Sequence, residues 1–283
     1  MTDNASAAVP EGAALSALLN EVGTVAEDAG RAILEIYETR FAVTEKDDRS
    51  PLTEADLAAH RVISDGLREI APQWPVLSEE GQDIPFATRQ DWDTYWLIDP
   101  LDGTREFVKR SGEFTVNIAL IHNHEPVLGV VWCPVLQRLY AGQIDGEAFR
   151  RDADGPRTSI HVSTPRSPEE TVRVAGSRSH GAERLNAVLE RLGPHELVSL
   201  GSSMKLCLVA EGSADIYPRL GPTSEWDTAA AHAVVRAAGG RVTDLDGNDL
   251  RYNTRDSLLN PEFLVCNGDP ADWLARLGLP DTA

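Results

Sequence analysis

Asp99 and Asp102 stand three residues apart in the run Asp99-Pro100-Leu101-Asp102-Gly103-Thr104. Left unneutralised at the mouth of a strand, the two carboxylates would repel each other. Hard cations are the economical remedy, because Mg²⁺ takes its ligands from carboxylates, carbonyls and substrate phosphates. Three further acids, Asp56, Glu79 and Asp227, stand where elements begin or end instead of on a charged face. Acids converging from such separate stretches would hold two or three divalent ions. A pair of ions clamps both the attacking water and the leaving oxygen of an in-line phosphoryl displacement. Backbone N–H groups after Asp102, opening a helical turn, would meet the phosphate oxygens.

Each acid also has a purely local explanation. The hexapeptide can be an acidic turn with Thr104 as a cap. Thr53-Glu54-Ala55-Asp56 reads as a capping box with Asp in place of Glu, which makes Asp56 a helix-start residue. Glu79, in Ser78-Glu79-Glu80-Gly81, can be a surface turn. Asp227, in Ser224-Glu225-Trp226-Asp227, can complement the dipole of an Ala-rich helix whose start Trp226 anchors.

The elements that must position these acids follow from periodicity. Apolar residues at helical spacing predict a long helix over 13–37 and a second opening at Thr53, with His60 as a packing residue. Between them the charged run Glu45-Lys46-Asp47-Asp48-Arg49-Ser50-Pro51 reads as a solvated loop or, more sharply, a lid. Strands are predicted at 75–78 and 95–98, the second stopped by Pro100, which cannot donate to a ladder. Four more, at 114–122, 126–132, 139–143 and 147–150, form an antiparallel meander, with Asp145-Gly146 as a hairpin signal. His122 and His124 fall at a hairpin tip and are discounted as ligands.

Residues 152–171 are rich in Gly, Pro, Ser and Thr and mark a passage to a second half. There strands (172–175, 196–200, 214–217, 241–243, 263–265) alternate with helices (183–192, 202–211, 228–238, 270–277), the pattern of an α/β unit. Ser202 or Ser203 caps the second of those helices. The expected organisation is an α/β protein of two joined halves, 1–155 and 156–283.

Composition excludes some functions. The chain has 283 residues, 42% of them hydrophobic, and a formal charge of −19. No basic stripe is available to displace counterions, which opposes nucleic-acid binding. An acidic protein can still bind a phosphorylated small molecule where cations invert the local field. Cys133, Cys207 and Cys266 are far apart among apolar neighbours, as expected of buried thiols in a reducing compartment. The first ten residues lack the pattern of a signal peptide, and the longest apolar runs are too short to span a bilayer. A cytoplasmic protein without a membrane partner is expected, and a homodimer is compatible with the sequence.

The motif Asp99-Pro-Leu-Asp-Gly-Thr104, Glu79-Glu80 after a strand, and Trp226-Asp227 before an Ala-rich helix together resemble the inositol monophosphatase superfamily. Their order and spacing match from about residue 53 to 268. Within it, Thr104-Arg105-Glu106-Phe107, Gly176-Ser177-Arg178-Ser179-His180, Gly201-Ser202-Ser203-Met204-Lys205 and Tyr217-Pro218-Arg219 are similar to the bacterial 3′(2′),5′-bisphosphate nucleotidase branch of CysQ type. Arg105 stands where Lys is commoner in that branch. The resemblance implies an αβαβα layered fold and a Mg²⁺-dependent, lithium-sensitive phosphomonoesterase. Glu79, Asp99 and the Leu101 carbonyl would hold one Mg²⁺, and Asp99, Asp102 and Asp227 a second. Glu79 and Glu80 would help hold a third, weaker ion. Asp56 and Thr104 would pair to orient the attacking water. Asp102 and the Gly103 and Thr104 backbone would cradle the scissile phosphate. His180, Ser202, Lys205 and Arg219, with Asp227, would contact the rest of the substrate.

The implied reaction removes the 3′-phosphate of adenosine 3′,5′-bisphosphate to leave AMP, a step that serves sulfur metabolism. Rival expectations are inositol monophosphatase or fructose-1,6-bisphosphatase activity at the same site. A non-catalytic phosphate-binding protein is a rival of another class, and it predicts loss of a metal carboxylate or of Thr104, all of which are present.

Overall fold

The computed structural model describes residues 8–38, 51–176 and 182–279. The charged run up to Ser50 and His180 lie outside the described residues. In chain order the elements are α1 (Gly12–Tyr37), α2 (Pro51–Ile70), β1 (Val76–Ser78), α3 (Phe86–Arg89), β2 (Thr94–Asp102), α4 (Thr104–Val108), β3 (Thr115–His122), β4 (Glu125–Cys133), β5 (Arg138–Gln143), β6 (Phe149–Asp152) and β7 (Thr158–Ser159). They continue with β8 (Val172–Gly176), α5 (Ala182–Leu192), β9 (His195–Ser199), α6 (Met204–Ala210), β10 (Ile216–Arg219), α7 (Glu225–Ala237), β11 (Arg241–Asp244), β12 (Phe263–Cys266) and α8 (Pro270–Leu277).

Strands β1 to β7 form a seven-stranded sheet in sequence order, with β1 parallel to β2 and the rest antiparallel. The other five form a mixed sheet in the order β11-β12-β10-β8-β9. Period-two alternation along β2 decides what each face meets. Trp96 and Ile98 point outward to Ile33, Ile63 and Leu67 of α1 and α2. Tyr95 and Leu97 point inward to a core shared with Cys207 and Val209 of α6, Ala230 and Val234 of α7, and Phe263 of the second sheet. A third cluster packs α5 and α8 on the far face of the second sheet through Leu185, Leu189, Trp273 and Leu277. The result is the expected αβαβα stack. β7, at residues 158–159, still belongs to the first sheet.

Four local expectations are corrected. Pro100 does not stop its strand. β2 pairs with β3 through Asp99–Asn117, slips, and pairs again at Asp102–Thr115. Two residues of β2 there oppose one of β3, a bulge that accommodates a proline without an N–H. α2 begins at Pro51, whose fixed φ suits a first helical position, so Thr53 is inside the helix and Asp56 is no capping-box residue. Thr104 is the first residue of α4 and Gly103 its N-cap. α6 begins at Met204, two residues later than expected, with Ser203, one of the two expected residues, at its N-cap position but without a side-chain capping bond, and Ser202 outside it at φ +48°.

The three cysteines are buried free thiols. Among the described residues no helix is long and apolar enough to cross a membrane.

Candidate active site

The bulge in β2 does the first chemical work. Residues three apart on a regular strand project to opposite faces, which would part Asp99 from Asp102. One extra residue resets the alternation, so Leu101 turns outward into the α1/α2 core while Asp102 joins Asp99 on the inner side. Beside them β1 ends in parallel register with β2, and the Glu79 N–H donates to the Ile98 carbonyl at 3.3 Å. α7 contributes Asp227, whose Oδ2 accepts the Ser224 N–H at 2.8 Å and so starts the helix at Glu225, three residues before the expected position. Carboxylate oxygens of Glu79, Asp99 and Asp227 all lie within 4.8 Å of one another. α2 supplies Asp56, which is 6% exposed.

The electrostatics of the cluster run one way. Burial pushes Asp99 well above the ordinary carboxylate range, and the charges of Asp102, Glu79, Asp227 and Asp56 push it further. Asp227 is raised to about 7, first by burial and then by Asp102. Asp56 is raised to about 8 by burial, then by Glu80 and Glu79. Burial also raises Glu79, against hydrogen bonds with Asp99 and Trp226 that lower it. Burial raises Asp102, while Lys205, the Ser203 N–H and Asn117 pull it down. Five acids that all resist ionisation in one place need positive charge between them. Asp99 Oδ2 and Asp56 Oδ1 are buried and have no hydrogen-bond partner. An all-oxygen donor set with such orphaned atoms fits hard divalent cations. His60, by contrast, shares a hydrogen bond with Ser78 Oγ at 2.8 Å, and burial lowers its pKa.

Next to the acids opens a cleft of ≈ 140 Å³ whose walls come from both halves of the chain. Asp102, Gly103 and Arg105 line one side; Ser202, Lys205, Arg219 and Asp227 line the other. Gly103 sits at φ +100°, and a Cβ there would meet the Glu113 carbonyl at 3.0 Å, so no other residue makes this turn without strain. Lys205 is largely withdrawn from solvent. Its Nζ donates to the carbonyls of Ser202 (2.7 Å) and Leu200 (3.3 Å) and lies 5.8 Å from the centre of the Tyr217 ring. Burial lowers its pKa to about 8. Arg219 is steadied by the Pro222 carbonyl at 2.8 Å. Of the expected substrate residues the structure thus brings together Ser202, Lys205, Arg219 and Asp227.

Several residues of the site carried no local signal. Asn117 sits 1% exposed in the middle of β3, and its side chain reaches Asp102. An Asn inside the run Val116-Asn117-Ile118-Ala119 was the one available hint. Beneath the start of α7, the buried Arg89 guanidinium donates to Asn253 Oδ1 and the Asp256 carbonyl. Asn253 N–H in turn donates to Glu225 Oε2 at 2.8 Å, which seats the helix that carries Asp227.

The model of the inositol monophosphatase family matches residues 14–277. The curated 3′(2′),5′-bisphosphate nucleotidase CysQ of Shigella flexneri is 51% identical over 251 residues, 88% of this chain and 99% of that protein. Its namesake from Escherichia coli K12 is 50% identical over the same share of each. Among solved structures, CysQ from Bacteroides thetaiotaomicron, itself described as a bacterial member of the inositol monophosphatase family, superposes with a TM-score of 0.80 at 43% identity, covering 89% of this chain and 97% of that one. An inositol monophosphatase from Zymomonas mobilis, at 21% identity, shares the fold with a TM-score of 0.76 over 95% of this chain and 100% of its own. The chain belongs to the inositol monophosphatase family.

Proposed function

We propose that this chain is a Mg²⁺-dependent 3′(2′),5′-bisphosphate nucleotidase that hydrolyses adenosine 3′,5′-bisphosphate to AMP and phosphate. The observation that carries the reading is the junction of two features at Asp102 and Asp227. Both acids belong to the carboxylate cluster and both line the cleft that holds Lys205, Arg219 and Ser202. The nucleotidases of Shigella flexneri and Escherichia coli, alike over nearly their whole length, support the same reaction.

Glu79, Asp99 and the Leu101 carbonyl would hold one Mg²⁺, and Asp99, Asp102 and Asp227 a second, with Glu79 and Glu80 about a third. Bound there, the ions supply a lowered pKa for the attacking water and neutralise the leaving oxygen. The protein does the rest. The Thr104 hydroxyl would donate a hydrogen bond to Asp56, which turns a Thr104 lone pair toward the water; α2 and α4, which carry the two residues, pack together. Asp102 with the Gly103 and Thr104 backbone cradles the scissile phosphate. In the second half, 156–283, Ser202, Lys205, Arg219 and His180 receive the nucleoside and its 5′-phosphate. Water adds to phosphorus and gives up a proton, the bond to the 3′-oxygen breaks, and that oxygen takes up one proton in exchange, so that ester and water become alcohol and inorganic phosphate.

Steady-state kcat/KM on adenosine 3′,5′-bisphosphate, inositol monophosphate and fructose 1,6-bisphosphate tests the reading. The nucleotide is expected to lead. An inositol or sugar phosphate ahead by severalfold overturns the substrate, and no turnover of any leaves a binding protein.

A further inference from the structure

Asp102 receives two donors on one oxygen. The Ser203 N–H reaches Oδ2 at 2.5 Å, and Asn117 Nδ2 reaches it at 3.5 Å. An Asn amide can present either end, and its neighbours decide which. Here the Ser203 hydroxyl donates to Asn117 Oδ1 at 2.8 Å, so the NH₂ end is turned to Asp102. Ser203 has then used its one hydroxyl proton. The hydrogen bond between Thr115 Oγ1 and Ser203 Oγ, at 2.9 Å, must therefore be donated by Thr115. The polarity of the relay is set from end to end: Thr115 to Ser203, Ser203 to Asn117, Asn117 to Asp102. All three helpers are buried, at 0%, 2% and 1% exposure for Thr115, Ser203 and Asn117.

Ser203 also belongs to the cleft. It follows Ser202 and precedes the α6 turn that carries Lys205, and the loop is pressed against the first half at Gly201. A Cβ on Gly201 would come within 2.7 Å of the Glu113 carbonyl and 2.8 Å of Glu106 Cγ. A shift of this loop cannot leave Asp102 where it was.

We propose that Ser203 is a positioning residue that couples the nucleotide cleft to the cation site. Through its N–H and through Asn117 it holds Asp102 Oδ2, which leaves the other oxygen for a cation. The inference rests on the reading of Asp102 as a cation ligand. Because coupling between two bound species is reciprocal, a nucleotide that settles the 201–205 loop tightens cation binding, and the cation tightens nucleotide binding by the same factor.

The test is calorimetric titration of Mn²⁺ into the full metal-stripped chain, with and without AMP, alongside thermal melts. Ser203→Ala keeps the backbone N–H and loses the relay, so Mn²⁺ should bind about tenfold more weakly. AMP should tighten Mn²⁺ binding less in this variant than in the wild type. Thr115→Val removes only the first donor at equal size and should weaken binding about threefold; Thr115→Ser should restore most of it. A loss of melting temperature alone, with Mn²⁺ affinity intact in Ser203→Ala, overturns the proposal. Equal affinities in Thr115→Val and Thr115→Ser also overturn it, even if Ser203→Ala does not fold. A wild type that takes up no Mn²⁺ sinks the cation reading and this one together; a wild type that binds Mn²⁺ but spares the bisphosphate sinks only the substrate.

Discussion

At Asp102 a single carboxylate is pulled two ways. Burial raises its pKa, and Lys205, the Ser203 N–H and Asn117 lower it. Without cations the neighbouring acids make ionisation costly, so replacing one by a neutral isostere removes repulsion while it removes a ligand. Asp102→Asn should therefore lower kcat by about a thousandfold or more, roughly 4 kcal/mol of barrier, without lowering the melting temperature of the cation-free protein. A rate within tenfold of the wild type would take Asp102 out of the ligand set. Lys205 is a different case. Its ammonium lines the cleft but is also bound to the carbonyls of Leu200 and Ser202. Lys205→Ala should raise KM for adenosine 3′,5′-bisphosphate more than for inositol monophosphate, and the two freed carbonyls should reduce stability by about 1–3 kcal/mol. Equal KM effects on both substrates would remove Lys205 from the specificity set.

On the scale of elements, α7 unites the chemistry with the core. Its first turn carries Asp227 and its middle buries His232, whose Nδ1 shares a hydrogen bond with the Tyr252 hydroxyl at 2.9 Å. Burial lowers the His232 pKa to about 3. A folded-state pKa below the unfolded value of about 6.5 means that the unfolded chain binds the proton first. The stability due to neutral His232 is thus complete above pH 6.5 and lost as pH falls toward 3, by about 2 kcal/mol at pH 5. Because the raised acids of the site act in the opposite direction over this range, the readout is the difference between proteins. Denaturant titrations at pH 8 and pH 5 should show the change in stability between the two pH values shifted by about that amount in His232→Gln relative to the wild type, and an unchanged pH dependence in the variant would exclude His232. Helices such as α1, α7 and α8 were legible in the sequence because apolar spacing is a local property. Glu79, Asp102 and Asp227 were legible as candidates because they fall at element ends. The bulge was not, since Pro100 reads as a stop unless its partner strand is known. Thr115, Asn117 and Ser203 meet across 86 to 88 residues of chain, and Arg89 reaches Asn253 across 164. No local pattern encodes contacts of that length.

For the whole molecule, cation binding and stability are one equilibrium. Asp227, raised to about 7, and Asp56, raised to about 8, have folded pKa values above their unfolded ones. Their contribution to cation-free stability is complete below about pH 3.8 and falls as pH rises to 7 or 8. Cations need the deprotonated acids, so Mg²⁺ stabilisation should grow over the same window. At a hundred times its Kd a bound ion adds about 2.7 kcal/mol. Melting temperatures with and without Mg²⁺ should differ more at pH 8 than at pH 5; a larger gain at pH 5 would contradict the acid cluster as the binding site. The middle core has a further consequence. Tyr95, Leu97, Ala119 and Ile121 of the first sheet are covered by residues of α6 and α7 that come more than eighty positions later. During synthesis, a ribosome that has released only the first sheet leaves that oily face open to water until the chain has run past residue 237. Pauses in translation before that point would expose the nascent protein to aggregation and chaperone capture, and pauses after it would not.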